Sequence, residues 1–303
     1  MTSDGIDPGW DAIQHGTLLM AIAAALFLAL ALLAAFKGIV FCLGTNGRVL
    51  RLADIPRPQM YIVCMHFMSA ITDLITFVNI AAWNFRGLSY GSQNILSETS
   101  NPLNTSATIA MALLLREASQ CGAQTFGQRL SRLAVYVLAL GLLVGSLAVY
   151  IGEFVTFRRS GGDLLTVGMV AINYLFASVY FTCFGYATAR RLVRMKGTLS
   201  EGEIRRRRRF TLRLVRSGFF GFATLLTMLG IVGITAIDGA FATFWTLYGL
   251  NAICSAVTRM LEISAFAPAG QKYVIARVMG SRFVNSIMPI QPATSPPLPQ
   301  STR

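Results

Sequence analysis

Long uncharged stretches, each followed by a short polar segment, dominate the hydropathy pattern of the chain. The clearest covers residues 17–43 and holds one charged residue, Lys37. A helix needs about 20 apolar residues to cross a bilayer core of about 30 Å, so each such stretch predicts a transmembrane helix. We predict seven of these segments, at 17–43, 60–83, 103–123, 133–157, 164–189, 210–237 and 241–267. The third has a short apolar centre followed directly by Arg116 and Glu117, so whether it spans is left open.

Composition favours one membrane protein over two soluble domains. Of the 303 residues, 54% are hydrophobic and only 13% are charged, about half the usual charged share of a soluble domain. The predicted fold is therefore all-α, a polytopic seven-transmembrane-helix bundle over residues 17–267. The remaining segments are a short extracellular N-terminus (1–16), an amphipathic interfacial helix (268–288) and a disordered Pro-rich tail (289–303).

The charge distribution predicts the orientation of the bundle. Asp4, Asp7 and Asp11 precede the first segment, and no Lys or Arg does. Cations concentrate on alternate connections, and residues 190–216 contain eleven Lys and Arg against two Glu. Because cytoplasmic loops carry the excess of cations, we expect the N-terminus outside and the C-terminus inside, provided that the third segment spans. This topology favours the plasma membrane and leaves an endomembrane location open.

Two polar stripes run through the predicted bundle, one in the second segment and one in the seventh. Their residues recur at three- and four-residue spacing and so share one helix face. They are His66, Ser69, Asp73 and Thr76, and Asn251, Ser255, Arg259 and Glu262. Buried polar groups in lipid need partners or a function. We predict a small-ligand or ion site formed by His66, Asp73, Asn251 and Ser255, with a hydrogen-bond network that only fixes helix packing as the alternative.

A second prediction concerns charged residues near the inner surface. Arg259 and Glu262 lie one turn apart and are expected to pair with each other or with Arg116 and Glu117. The pair is either static or a latch between the third and seventh segments that opens on activation.

The sequence gives no positive sign of catalysis, a metal or a cofactor. Its two histidines, His15 and His66, are too few for a three-His zinc site. The sixth and seventh segments contain no Lys, which excludes a retinal Schiff base in the usual position. No phosphate-binding or nucleophile-elbow motif stands in a suitable context. We expect a protein that is not an enzyme.

Five consecutive arginines lie between the fifth and sixth segments: Arg205, Arg206, Arg207, Arg208 and Arg209. A connection tethered to the membrane at both ends is an implausible nucleic-acid site. The run predicts contact with anionic lipids at the cytoplasmic face. It equally suits docking of an acidic cytoplasmic effector such as a G protein, and the two roles are compatible.

Two shorter motifs concern the surface of the bundle. The sequon that begins at Asn104 falls at the outer mouth of the third segment and is a weak glycosylation signal. Gly141 and Gly145, spaced as in G-x-x-x-G, permit close helix packing, either within one chain or in a homodimer.

One stretch resembles a known family. The sequence RPQMYIVCMHFMSAITDLITF, together with seven segments and a basic fifth connection, resembles the G-protein-coupled-receptor superfamily. The resemblance implies that Asp73 stands where rhodopsin-like receptors keep an acid for a sodium and switching site. The chain lacks the Asp-Arg-Tyr, Cys-Trp-x-Pro and Asn-Pro-x-x-Tyr motifs of those receptors. A fainter similarity, through YFTCFGYATARRL and RRRRRF, is to the tobamovirus-multiplication family of seven-span proteins.

These observations together predict a receptor-like protein. It would sense a small ligand within the bundle and signal through its basic cytoplasmic surface, to a G protein or another effector. The alternative is a non-signalling membrane scaffold or a small-solute transporter. Transporters have helices broken by Gly or Pro at matching places in two halves, and the seven predicted segments contain no proline.

Overall fold

The computed structural model describes residues 10–43, 47–51, 55, 57–83, 87–88, 90–119, 162–194, 201–235, 241–266 and 271, with isolated positions between 133 and 151. Six long helices account for nearly all of these residues. They are α1 (Trp10–Phe41), α2 (Arg57–Trp83), α3 (Tyr90–Ser119), α4 (Gly162–Arg194), α5 (Glu201–Thr235) and α6 (Phe241–Ala265). The all-α prediction is thereby confirmed for the described part of the chain.

Four of these helices are long and apolar enough to cross a bilayer, which is the signature of an integral membrane protein. The spans are Thr17–Phe41, Arg57–Trp83, Val170–Arg190 and Arg207–Ile234. Burial agrees, because large apolar side chains are exposed on the outer faces of these helices. In α2 the buried side chains include His66, Asp73 and Asn79, whereas Phe67 and Met68 are exposed. Polar groups thus lie in the bundle interior beside apolar ones, and exposed faces are apolar, as a lipid environment requires.

The third and fourth predicted segments differ in how much of them the structure describes. Helix α3 begins at Tyr90, thirteen residues before the predicted start, and contains Pro102. The predicted segments contain no proline, but Pro102 precedes the third of them by one residue and so lies inside α3. In the fourth segment, the helical positions that are described include Leu133, Val137 and Val144, all more than half exposed. Helix α1 begins at Trp10, so residues 10–16 of the predicted N-terminus belong to a helix, and residues 1–9 lie outside the described residues. Of the predicted interfacial helix and tail, the structure describes Gln271 alone.

The helices α2 to α6 form two groups. Helix α2 packs extensively on α3, and α5 packs extensively on both α4 and α6, whereas α3–α4 and α2–α6 contacts are sparse. We refer to α2–α3 as the first lobe, to α4–α5–α6 as the second lobe, and to the boundary between them as the seam. Helix α1 touches both lobes, through Phe27 on Phe77 and through Leu19 beside Gly249. All five helices nevertheless belong to one compact unit of the chain.

Glycines bring α4 and α5 unusually close. A Cβ atom at Gly218 would lie 2.6 Å from Thr182 Oγ1, and one at Gly221 would lie 2.9 Å from Ser178 Oγ. Such contact between helix backbones replaces the hydrophobic drive that lipid does not supply. It holds α4 and α5 in close contact.

Residues 39–55 belong to a separate compact unit. The chain leaves α1 through a tight turn in which Leu43 and Val49 form an isolated antiparallel bridge. Gly47 has a φ of 76°, a conformation that residues with a Cβ rarely adopt. The Leu50 amide donates to the Cys42 carbonyl at 2.8 Å and closes the turn.

Candidate functional site: a charged seam between two lobes

Helices α2 and α6 run antiparallel across the seam. As residue numbers rise along α2, their partners fall along α6, from His66 opposite Glu262 to Phe77 opposite Tyr248. In a helix each Cα–Cβ bond tilts toward the N-terminus. In an antiparallel pair the side chains of the two helices therefore tilt in opposite directions along the helix axes. This geometry lets long side chains bridge the sparse boundary.

The centre of the seam is an ion pair between Asp73 on α2 and Arg259 on α6. Arg259 Nη1 lies 2.5 Å from Asp73 Oδ2, and the same nitrogen donates to Ser69 Oγ at 2.7 Å. Both charged residues are buried. The Arg259 guanidinium also lies 5.5 Å from the centre of the Phe27 ring, within the range of a cation–π interaction. Arg259 is thereby tied to α1 and α2.

A second pair lies one helical turn away, at the Glu262 position of α6. His66 Nε2 and Glu262 Oε2 are 3.0 Å apart, with exposed fractions of 0% and 1%. The other carboxylate oxygen, Oε1, accepts a 3.3 Å hydrogen bond from Ser217 Oγ of α5. Glu262 thus contacts α2 of the first lobe and α5 of the second lobe, to which it belongs.

Uncharged polar groups extend the seam to α3 and α4. Tyr174 on α4 forms a 2.6 Å hydrogen bond with Ser255 on α6, and its hydroxyl accepts from Asn104 Nδ2 of α3 at 3.3 Å. Ser69 donates to the Ser100 carbonyl of α3 at 3.3 Å. Every helix from α2 to α6 therefore contributes a polar group to one of these neighbouring hydrogen-bonded clusters, which together we call the seam network. Apolar packing alone would not fix such a register, because lipid and apolar side chains compete equally for helix faces.

Two cations mark one end of the bundle, where α1 and α6 end. Lys37 on α1 donates to the Phe266 carbonyl at 2.6 Å, and Arg213 on α5 donates to the Ser264 carbonyl. Cations stabilise a helix C-terminus, where backbone carbonyls lack partners and the helix dipole is negative. We call this the basic end. Lys37, the one charged residue of the first predicted segment, is buried on α1.

Three residues of the predicted ligand site enter the seam network and one does not. His66, Asp73 and Ser255 all lie in it. Asn251 instead turns to α5, where its Nδ2 donates to the Thr224 carbonyl at 2.8 Å and to Thr227 Oγ1 at 3.0 Å. The partner of Asp73 is Arg259, eight residues further along α6, because a guanidinium satisfies a buried carboxylate far better than an amide does.

The expected pairing of Arg259 and Glu262 is also different in the structure. Arg259 and Glu262 do not pair with each other. Arg259 pairs across the seam with Asp73, and Glu262 pairs across it with His66. The side chains of Arg116 and Glu117, the other members of the predicted latch, lie outside the described residues. The expected latch joined the third and seventh segments, whereas the ion pairs of Arg259 and Glu262 join α6 to α2.

The sequon residue Asn104 lies inside the bundle. Its side chain is 5% exposed and donates to Tyr174, so the structure does not place it at a surface open to glycosylation. Gly141 is exposed, and among the described residues no atom outside its own helix backbone lies within 4 Å of where its Cβ would be. The homodimer predicted through Gly141 and Gly145 stays a prediction.

The five arginines belong to a helix and not to a loop. Helix α5 begins at Glu201, so residues 205–209 form its second and third turns. Arg205, Arg207, Arg208 and Arg209 are exposed, and Arg205 forms an exposed 3.4 Å pair with Glu201. Leu212 and Arg216 are exposed further along α5, and beyond Arg216 the large exposed residues are apolar: Phe219, Phe222, Leu226 and Leu229. Such a change from cationic to apolar exposed residues is typical of a helix that enters the hydrocarbon.

Sequence reasoning missed Tyr174, Ser217 and Arg213 as members of the site. Tyr174 follows Asn173 in the middle of an apolar segment, and that adjacent polar pair was the available signal. The sequence around Ser217 and Arg213 gave no such signal, since a serine and an arginine near the start of a span are common.

A comparison with known protein families finds no family that matches this chain, and a comparison with curated proteins finds no match.

Proposed function

We propose that this chain is a receptor-like membrane protein in which the seam is a conformational switch. The observation that carries the proposal is the buried Asp73–Arg259 pair, which joins two lobes that otherwise touch sparsely. A ligand shifts an equilibrium only if it binds two states differently. A charge pair that is formed in one arrangement of the lobes and separated in another supplies such a difference.

The proposal includes seven membrane spans, with the N-terminus outside and the C-terminus inside. Helices α3 and α6 and the segment around 133–151 then cross the bilayer beside the four apolar helices. The polar residues that lower the hydropathy of α6, Arg259 and Glu262, are buried against the other helices and not against lipid. Residues of this kind are tolerated in a span when they face the bundle. We favour the plasma membrane as its location.

The output of the switch would be the exposed arginines of α5. These lie in the second lobe, on the helix that contacts Glu262 through Ser217. Because close glycine contacts bind α5 to α4, a motion of the second lobe carries the arginine surface with it. An acidic cytoplasmic effector, a G protein among them, and anionic lipid headgroups are the partners that such a surface suits.

Nucleotide exchange on G proteins in membranes that contain the chain tests this function. Asp73→Asn removes the charge that holds Arg259, so we expect it to raise basal exchange. Replacement of Arg205, Arg207, Arg208 and Arg209 by glutamine should abolish exchange in that background. Gly233→Ala is the matched control, since Gly233 is exposed on α5 with nothing within 4 Å of its Cβ position. Equal exchange in all variants would contradict a G-protein-linked switch.

A transporter is the second candidate, and one observation favours it. Pro102 lies inside α3, beside a seam between two lobes of the kind that rocks in alternating access. A transporter predicts that Asp73→Asn abolishes solute flux into liposomes that contain the purified chain, with no effect on nucleotide exchange. A scaffold predicts partner binding that is indifferent to Asp73.

A further inference from the structure

The hydroxyl of Tyr174 on α4 is a point where polar side chains of three helices meet. It accepts from Asn104 Nδ2 of α3 at 3.3 Å and forms a 2.6 Å hydrogen bond with Ser255 of α6. The Arg259 guanidinium of α6 lies beside it as well. All four residues are at most 6% exposed. Polar groups from α3, α4 and α6 therefore converge on one point inside the bundle.

Two polar atoms of the groups that meet at this hydroxyl lack partners. Asn104 Oδ1 and Arg259 Nε are buried and have no hydrogen-bond partner among the described residues. The first is an acceptor, and the second is a donor because a guanidinium nitrogen can only donate. A buried polar atom without a partner is unfavourable, and such atoms are rare in folded proteins. The two atoms are therefore complementary to one molecule that carries both a donor and an acceptor.

The surroundings of these two atoms fit a small molecule without a net charge. Helix α3 packs sparsely on α4, and α2 packs sparsely on α6, although the polar side chains between these helices are buried. Ligand sites between the helices of a bundle combine such enclosure with a few convergent polar groups. Arg259, the charged group beside the hydroxyl, already has Asp73 as its counter-charge. A ligand with a net charge would leave one charge unmatched in the interior, which is strongly unfavourable.

We propose that Asn104 and Arg259 bind a small neutral ligand whose hydrogen-bond donor and acceptor lie a few atoms apart, as they do in a primary amide. The ligand donates to Asn104 Oδ1 of the first lobe and accepts from Arg259 Nε of the second lobe. It thereby joins the two lobes beside the Asp73–Arg259 pair. The role of this molecule as the ligand of the switch rests on the proposed function, whereas its binding does not.

Acetamide and acetone are matched probes for this site. They have the same number of non-hydrogen atoms and each has one carbonyl acceptor, but only acetamide has a donor. We would measure the affinity of each by saturation transfer to its methyl protons, with the purified full-length chain in phosphatidylcholine nanodiscs and empty nanodiscs as background. We expect saturable binding of acetamide. Acetone should bind about tenfold more weakly, because it leaves Asn104 Oδ1 without a donor in the closed site.

Two variants assign the binding to its atoms. Asn104→Leu removes the acceptor at similar side-chain size, so acetamide should then bind no better than acetone. Arg259→Lys keeps a positive charge opposite Asp73 but has no Nε–H, so both probes should bind about tenfold more weakly. Asn251→Leu is the matched control for the first variant, because the Asn251 amide donates to α5 outside this site. It should leave both affinities unchanged.

Equal affinities of acetamide and acetone for the unsubstituted chain would overturn the proposal, as would the absence of saturable acetamide binding, and the two atoms would then hold water only. This comparison needs no substitution, so it stays decisive if Asn104→Leu or Arg259→Lys does not fold. Acetamide binding that leaves nucleotide exchange unchanged would keep the site and remove its role in the switch. Conversely, exchange raised by Asp73→Asn without acetamide binding would keep the switch and remove this class of ligand.

Discussion

The Asp73–Arg259 pair makes the sharpest prediction about stability. Asp73→Asn keeps the shape of the side chain and an oxygen that can accept from Arg259, but removes the negative charge. The guanidinium then stays 4% exposed, and its neighbours Ser69, Tyr174 and the Phe27 ring carry no negative charge that could replace the carboxylate. Removal of one member of a buried ion pair costs about 3–5 kcal/mol. We therefore expect the free energy of unfolding to fall by about 3 kcal/mol, which is roughly a 150-fold change in the folding equilibrium.

The double variant Asp73→Asn/Arg259→Gln separates charge from packing. It leaves no uncompensated charge, so it should be more stable than the single Asp73→Asn variant despite carrying a second change. The coupling energy between the two sites should reach about 2 kcal/mol. The measurement is equilibrium unfolding in mixed micelles of rising SDS fraction, followed by circular dichroism.

Glu201→Gln provides the control, because it breaks an Arg–carboxylate pair that is exposed to solvent. Exposed pairs contribute about 0–1 kcal/mol. If Asp73→Asn were no more destabilising than Glu201→Gln, or if the effects of the two seam substitutions were additive, the seam would not be held by charge.

Three further predictions follow from the helix surfaces and the proposed topology. Gly218→Ala should lower the free energy of unfolding by about 1–3 kcal/mol, because the added methyl group overpacks against Thr182. Gly233→Ala, in open space on the same helix, should raise the free energy of unfolding by about 0.5–1 kcal/mol. Equal effects of the two substitutions in the same SDS titration would show that the α4–α5 contact is not close. Replacement of the exposed arginines of α5 by glutamine should reduce the enrichment of anionic lipid around the chain, measured by fluorescence transfer in mixed-lipid nanodiscs, by about fivefold per residue. No change in that enrichment would leave a protein effector as the partner of this surface. Terminal tags should be accessible in intact cells at the N-terminus and only after permeabilisation at the C-terminus; both tags on one side would mean an even number of spans.

The sequence predicted the positions of the helices well and the contacts between them poorly. Apolar length alone locates α1, α2, α4 and α5, because a span must match the bilayer thickness. The start of α3 was missed because its first turns are polar, from Tyr90 to Asn101, and hydropathy does not detect a helix that continues beyond its apolar part. The division into two lobes depends on contacts between helices distant in sequence, which no pattern along one chain encodes.

The seam shows the same limit at the level of side chains. Both polar stripes were visible, and His66, Asp73, Arg259 and Glu262 were all identified as residues that need partners. The predicted neighbour of Asp73 was wrong, because counting residues from the helix ends places Asn251 at the depth of Asp73. Side-chain length and the opposite tilts of two antiparallel helices instead bring Arg259 to Asp73. Such directions become available only once the helix pair is known.

The central claim is that the Asp73–Arg259 pair holds the two lobes in one of two arrangements. Spin labels on the exposed residues Arg57 of α2 and Arg208 of α5, in a cysteine-free chain in nanodiscs, report the distance between the lobes by pulsed electron resonance. The account predicts one narrow distance for the unsubstituted seam, and a second population displaced by about 5 Å or less, the scale of switching motions of packed helices, in the Asp73→Asn chain. A single unchanged distance in both chains would contradict it, and the pair would then be a fixed element of the fold.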